Sequence, residues 1–167
     1  MLFSSIVFLV FFLPLCFAVY YNIPNRFKNA WLLLASTVFY AWGAPAFILV
    51  LVASSVMDCF LARFCPQSKV GIAVGVISNL ALLGYFKYAN FFLAQFEEIF
   101  QMLGFQFGTF ESIALPLGIS FFTFQKISFL IDVKRKDVEV PQRFYDYLLY
   151  VMLFPQLIAG PIIRYKE

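Results

Sequence analysis

The chain has 167 residues, a length that suits about one domain, with a formal net charge of +3 and no histidine. Apolar residues make up 63% and charged residues only 13%, about half the charge of an ordinary soluble chain, and the mean hydropathy is +0.87. A soluble fold this small would leave much of that surface in water and nothing in the chain resists collapse, so the class that survives is an all-α polytopic transmembrane helical bundle.

Apolar segments fall at residues 2–21, 25–42, 46–64, 70–92, 113–131 and 145–163. A span needs roughly 20 residues to cross about 30 Å of hydrocarbon. The first has no Lys or Arg before Arg26 and lacks a small-residue cleavage site, so it reads as a retained span rather than a signal peptide. The second has a short apolar heart and starts upstream, near Pro24, a residue suited to a first turn. Gly43-Ala44-Pro45 is a tight break, with Gly43 ending one helix and Pro45 opening the next. Gly71 and Gly75, four apart, would allow close helix approach. Residues 97–111 place Glu97, Glu98 and Glu111 among Phe96, Ile99, Phe100 and Leu103, a pattern open to an interfacial amphipathic helix or to a packed loop. The last segment holds Pro155, Gln156, Gly160 and Pro161 and reads as a broken or re-entrant helix. No separate soluble domain and no internal repeat is visible.

Charge placement sets the orientation. With the N-terminus outside, the cytoplasmic loops receive Arg26, Lys28, Arg63, Lys69, Lys134, Arg135, Lys136 and Arg143, while Glu97, Glu98 and Glu111 fall outside. The reverse orientation would place all of those cations outside.

A charge at mid-membrane is costly, so each one needs a partner or a cavity. Asp58 follows Ser54 and Ser55, where capping of the bundle interior and a functional role are equal readings. Lys87, between Tyr85 and Tyr88, suits snorkelling to the headgroups more than pairing in a cavity. At 100° per residue Gln125, Ser128 and Asp132 fall within about a 60° arc, a stripe that should face protein or a passage; Thr123 and Lys126 lie on another side. Interhelical hydrogen bonding and a substrate passage both account for the stripe. The chain shows no nucleophile with a base, no metal-ligand spacing among Cys, Asp and Glu, no Gly-rich phosphate loop and no basic, aromatic-interleaved face for nucleic acid. No catalytic, metal or cofactor residue is assigned. Cys16, Cys59 and Cys65 form no C-x-x-C pair and read as free thiols.

Four ordered motifs carry a resemblance. They are Phe39-Tyr40-Ala41-Trp42; Gly84-Tyr85-Phe86-Lys87-Tyr88-Ala89-Asn90-Phe91-Phe92; Leu115-Pro116-Leu117-Gly118-Ile119-Ser120-Phe121-Phe122-Thr123-Phe124-Gln125; and Phe154-Pro155-Gln156-Leu157-Ile158-Ala159-Gly160-Pro161-Ile162-Ile163-Arg164-Tyr165. Together they resemble the membrane-bound O-acyltransferase family, in its bacterial branch of alginate O-acetylation and D-alanyl-lipoteichoic acid export proteins. The resemblance runs from residue 1 and implies a tunnelled helical bundle of which this chain is the N-terminal part. It implies transfer of an acyl group, often acetyl, from a cytoplasmic donor to hydroxyls of an extracytoplasmic polysaccharide such as alginate, with periplasmic accessory acetylation proteins as partners beside the lipid bilayer. The family's catalytic histidine lies well downstream of the Arg164 motif and has no counterpart here. The expectation is therefore an N-terminal fragment, inactive alone. Gln125, Ser128, Asp132, Gln156 and Arg164 are the candidates for tunnel-lining or supporting roles. The competing reading is a non-enzymatic integral membrane subunit, a transporter half or an assembly scaffold, since Pro and Gly breaks within spans also suit transporters.

Overall fold

The computed structural model describes residues 6–43, 45–102, 114–116, 118–159 and 164–165. It is all-α. A π-helical turn, Phe8–Phe12, runs directly into α1, Leu13–Asn22. Helix α1 stops at Ile23, extended at φ −84° and ψ 142°, because the following Pro24 disfavours a helical residue before it. A 3-10 turn, Asn25–Phe27, leads into α2, Lys28–Gly43. Helix α3, Pro45–Phe64, opens on a proline whose missing N–H costs nothing in a first turn. After a turn around Pro66, the Ser68 hydroxyl accepts the Gly71 N–H at 3.1 Å and caps α4, Lys69–Met102.

Helix α4 corrects one boundary. The sequence suggested a span ending near residue 92 and a separate segment from 97, yet one helix of 34 residues continues from the span into that segment as far as Met102. Nothing from Phe92 to Met102 is Gly or Pro, and Ala94, Gln95, Glu97, Glu98 and Gln101 favour helix. The acidic pair does not break the backbone. Residues 103–111 of that segment lie outside the described residues.

Helix α5, Ile119–Arg135, follows Gly118 at φ 73°, a left-handed conformation that glycine adopts without strain. Its other end closes with Lys136 at φ 63°, whose N–H bonds the Val133 carbonyl, while the Asp137 N–H reaches the Asp132 carbonyl, each at 3.0 Å. This paired closure is a Schellman cap with lysine where glycine is usual. Helix α6, Phe144–Met152, is broken at Leu153 from α7, Phe154–Ala159. The break is held from outside: the Ser36 hydroxyl of α2 accepts the Phe154 N–H at 3.2 Å. Residues 160–163 lie outside the described residues.

Two apolar clusters hold the helices. The larger joins α2 to α6 through Tyr40, Leu51, Ile72, Phe122, Phe129 and Tyr147. The smaller docks the N-terminal helix: the rings of Phe8, Phe12, Phe39 and Phe154 meet at centroid distances from 5.4 to 6.0 Å. The Trp31 indole N–H adds a bond to the Cys16 carbonyl at 3.1 Å. Helices α4 and α5 approach closely at Gly75, where a Cβ would lie 2.7 Å from the Leu130 Cδ1. The small-residue pair thus serves packing inside this chain.

Among the described residues, two helices are long and apolar enough to cross a membrane, Pro45–Phe64 and Lys69–Phe96, with mean hydropathies of 2.1 and 1.6. Polarity is reversed along them. Ser55, Asp58 and Asn79 are buried, while Leu49, Phe60, Val70 and Ile77 are exposed, Leu49 by 76%. An apolar exterior on this scale marks contact with lipid or with further protein, not water.

Candidate functional site

The centre of the bundle is a polar knot. Ser54 and Asp58 stand one turn apart on the same face of α3. From α5, the Lys126 Nζ lies 3.2 Å from Asp58 Oδ2 and 2.5 Å from Ser54 Oγ. From α4, the Asn79 amide donates to Asp58 Oδ1 at 2.7 Å and to the Gly75 carbonyl of its own helix at 2.9 Å. Tyr147 of α6, fully buried, places its hydroxyl beside the carboxylate. Asp58 and Lys126 are both 0% exposed. A lone charge there would be untenable, and the pair together with its amide and hydroxyl partners makes the burial tolerable.

The α5 residues sort around this knot. At 100° per residue its buried positions span an arc of about 180°. Lys126 and Thr123 lie toward one margin and Gln125 and Asp132 toward the other. Gln125 is 2% exposed and its Oε1 has no partner among the described residues. Asp132 is buried, and the half-buried Ser128 donates to its Oδ2 at a long 3.5 Å. Gln156, on α7, is buried with its Nε2 unpartnered among the described residues. Arg164 is exposed, beyond α7. Among the described residues, the Ser128–Asp132 contact is the one that joins two of these five side chains.

Sequence reasoning missed the knot. Asp58 was a charge near a helix end and Lys126 a residue on the wrong side of a stripe; Asn79 drew no notice. The usable signal was complementarity: one acid and one base, each deep in an apolar segment, must meet or be stranded. Lys87 makes the contrast, since it is exposed on α4 with its Nζ 5.7 Å from the Tyr88 ring centroid. The three cysteines are free. At the loop end, Arg143 Nη1 donates to the Tyr145 hydroxyl at 2.5 Å, and that bond raises a guanidinium pKa already high.

Relatives were found along the whole chain. It is 40% identical over 174 aligned residues to the probable alginate O-acetylase AlgI of Pseudomonas aeruginosa, covering 100% of this chain and 34% of that protein. The like-named protein of Azotobacter vinelandii is 39% identical, with 100% and 35% covered. The peptidoglycan O-acetyltransferase of Helicobacter pylori is 35% identical over 202 residues, with 100% and 38% covered. The chain is homologous to the AlgI-like O-acetylases of the membrane-bound O-acyltransferase family.

This chain spans about a third of the length of those AlgI-like relatives. Their shared region takes in the whole polar knot and the positions of Gln125, Ser128, Asp132, Gln156 and Arg164, because the alignments leave no part of this chain out. No family model matches the chain, and no solved structure does.

Proposed function

We propose that these 167 residues form the N-terminal, membrane-embedded part of an O-acyltransferase that moves an acyl group, acetyl in the first instance, onto hydroxyls of an extracytoplasmic polysaccharide such as alginate. The observation that carries this reading is the identity of 35–40% to O-acetylases along the entire chain. The reversed polarity of α3 and α4 supports a multi-pass place in a bacterial inner membrane.

The fold supports an N-terminus on the periplasmic side. Asn29, at the start of α2, donates to Asp146, at the start of α6, at 3.3 Å. Lys69 lies beside Lys134 and Arg135 around one groove. The basic loop residues therefore gather at one end of the bundle, the end the positive-inside rule assigns to the cytoplasm.

In this reading the catalytic histidine of the family lies outside these residues, which include no histidine. A base from sequence outside these residues takes the acceptor's proton, the acceptor oxygen attacks the acyl carbonyl, hydrogen-bond donors meet the developing oxyanion, and its collapse breaks the bond to the donor's leaving group, which departs with the proton the base took up. The contribution of this part is the wall of the passage. Gln125 and Gln156 each present an amide atom with no partner among the described residues, which suits a polar lining. Ser128, Asp132 and Arg164 are supporting candidates. The cytoplasmic acyl donor and the periplasmic accessory proteins engage the completed enzyme.

A chimera tests this. The first third of the Pseudomonas aeruginosa relative is replaced by these 167 residues in cells lacking their own polysaccharide acetylation. Acetate released from the exported polysaccharide by mild alkali is then measured. Restored acetylation supports the reading. A chimera that inserts stably and yields no acetate returns the non-enzymatic subunit, and transfer of labelled acetyl by the purified 167 residues alone overturns the division of labour.

A further inference from the structure

Where α4 begins and α5 ends, the two helices part to leave a groove of about 530 Å³, within the roughly 300–1,000 Å³ of small-molecule sites. Its floor is apolar, built from Ile72, Val76 and Ile131, and its mouth carries Lys69, Lys134 and Arg135. Among the described residues no carboxylate lines it. None of the three cations makes an ion pair among the described residues.

The local backbone adds to the same field. The first turn of α4 contains no acidic residue, so the positive end of a 34-residue helix is left uncompensated beside Lys69. Lys134 and Arg135 stand in the last turn of α5, whose carbonyl end offsets only part of their charge. Ile77, one turn deeper than Ala73, is 64% exposed, so the groove continues from the charged mouth along an apolar flank.

A ligand that satisfies both halves must carry an anionic head and a hydrocarbon tail. We propose that this groove is a binding site for one anionic phospholipid of the leaflet at the basic end of the bundle, its phosphate among Lys69, Lys134 and Arg135 and its acyl chain along Ile72 and Ile77. A free phosphate would leave the floor unused, and a zwitterionic lipid would leave a net positive mouth. The inference rests on the membrane placement of α4 and not on acyl transfer.

The test uses the full 167-residue chain in detergent, after confirming that it resists alkaline carbonate extraction from membranes, which checks the membrane placement separately. Native mass spectrometry reads retention of phosphatidylglycerol against phosphatidylcholine. Wild type should retain phosphatidylglycerol preferentially. Each of Lys69→Gln, Lys134→Gln and Arg135→Gln should weaken that retention by about fivefold, whereas Lys87→Gln, the same charge change about 27 Å along α4, should leave it unchanged. Ala73→Phe, which fills the groove without altering charge, should also release the lipid. Equal retention of both lipids, displacement by millimolar inorganic phosphate, equal effects of the groove and Lys87 variants, or a neutral Ala73→Phe would each overturn the proposal.

Discussion

Replacing Lys126 by Met keeps an unbranched side chain one atom shorter and removes its charge, stranding Asp58 inside the bundle. The pair lies at 3.2 Å with both side chains fully buried. At an effective dielectric constant of about 20, two unit charges at that separation attract by about 5 kcal/mol, and removing one partner of a buried pair costs about 3–5 kcal/mol. Lys126→Met should therefore lower stability by about 3–5 kcal/mol, and Asp58→Asn, which strands the ammonium instead, by a similar amount. The double variant buries no charge and keeps an amide beside Asn79, so it should return to within about 2 kcal/mol of the wild type. Unfolding in mixed micelles titrated with a denaturing detergent, followed by helical circular dichroism, gives all four corners of the cycle. A coupling of at least about 3 kcal/mol is expected. Single-variant losses that simply add in the double, within about 0.5 kcal/mol, would refute the claim that the two charges depend on each other.

Other substitutions probe other joints of the same bundle. Gly75→Ala places a methyl 2.7 Å from Leu130 Cδ1 and 3.1 Å from Leu61 Cδ1; it should cost about 1–3 kcal/mol, and Leu130→Ala should relieve the strain in the same detergent titration. Lys136→Gly removes a side chain from a left-handed residue and should raise the unfolding midpoint, by about 0.5–1 kcal/mol. Ser36→Ala leaves the Phe154 N–H without its acceptor and should cost about 1 kcal/mol, seen as faster amide exchange at the start of α7. In the acetylation chimera, Gln125→Leu should reduce acetate release about tenfold, the worth of one hydrogen bond in the transition state, with insertion unchanged; full activity would remove Gln125 from the passage.

What the sequence makes legible here is local. Pro24 and the Gly43–Pro45 break each act on the backbone beside them, so the interruptions they impose can be read without knowing the neighbours. The end of α4 is harder, because Glu97 and Glu98 change the preferred solvent without carrying any backbone restriction, and a helix needs only the absence of a breaker to continue. The partner of Lys126 is harder still. Periodicity says which residues of α5 share a face, but α5 is buried over about half its circumference, and no period tells which helix covers which part of that arc. Only the packing of α3, α4 and α6 around it assigns Asp58, Asn79 and Tyr147 to the Lys126 side.

Hydrogen-bond accounting then separates two kinds of buried polar residue. In lipid the hydrophobic effect gives helices little reason to associate, so packing and interhelical polar contacts must hold them. Asp58, Lys126, Ser54 and the Asn79 amide are engaged with one another, and their chemistry is consumed in joining α3, α4 and α5. A group already committed in this way cannot also meet a passing substrate without loosening the bundle. Gln125 Oε1, Thr123 Oγ1 and Gln156 Nε2 are buried with no partner among the described residues, as are Ser55 Oγ, Asn79 Oδ1 and the Tyr147 hydroxyl at the knot, and a buried polar atom left so costs about 1–3 kcal/mol. Such a cost is retained where the missing partner arrives later, from water, from the substrate or from another part of the protein. Substitutions in the knot should therefore reduce stability and activity together, whereas apolar replacements at Gln125 and Gln156 should leave stability equal or higher while activity falls. Loss of both properties at Gln125 and Gln156 would make these amides part of the scaffold and leave the passage to residues outside this chain.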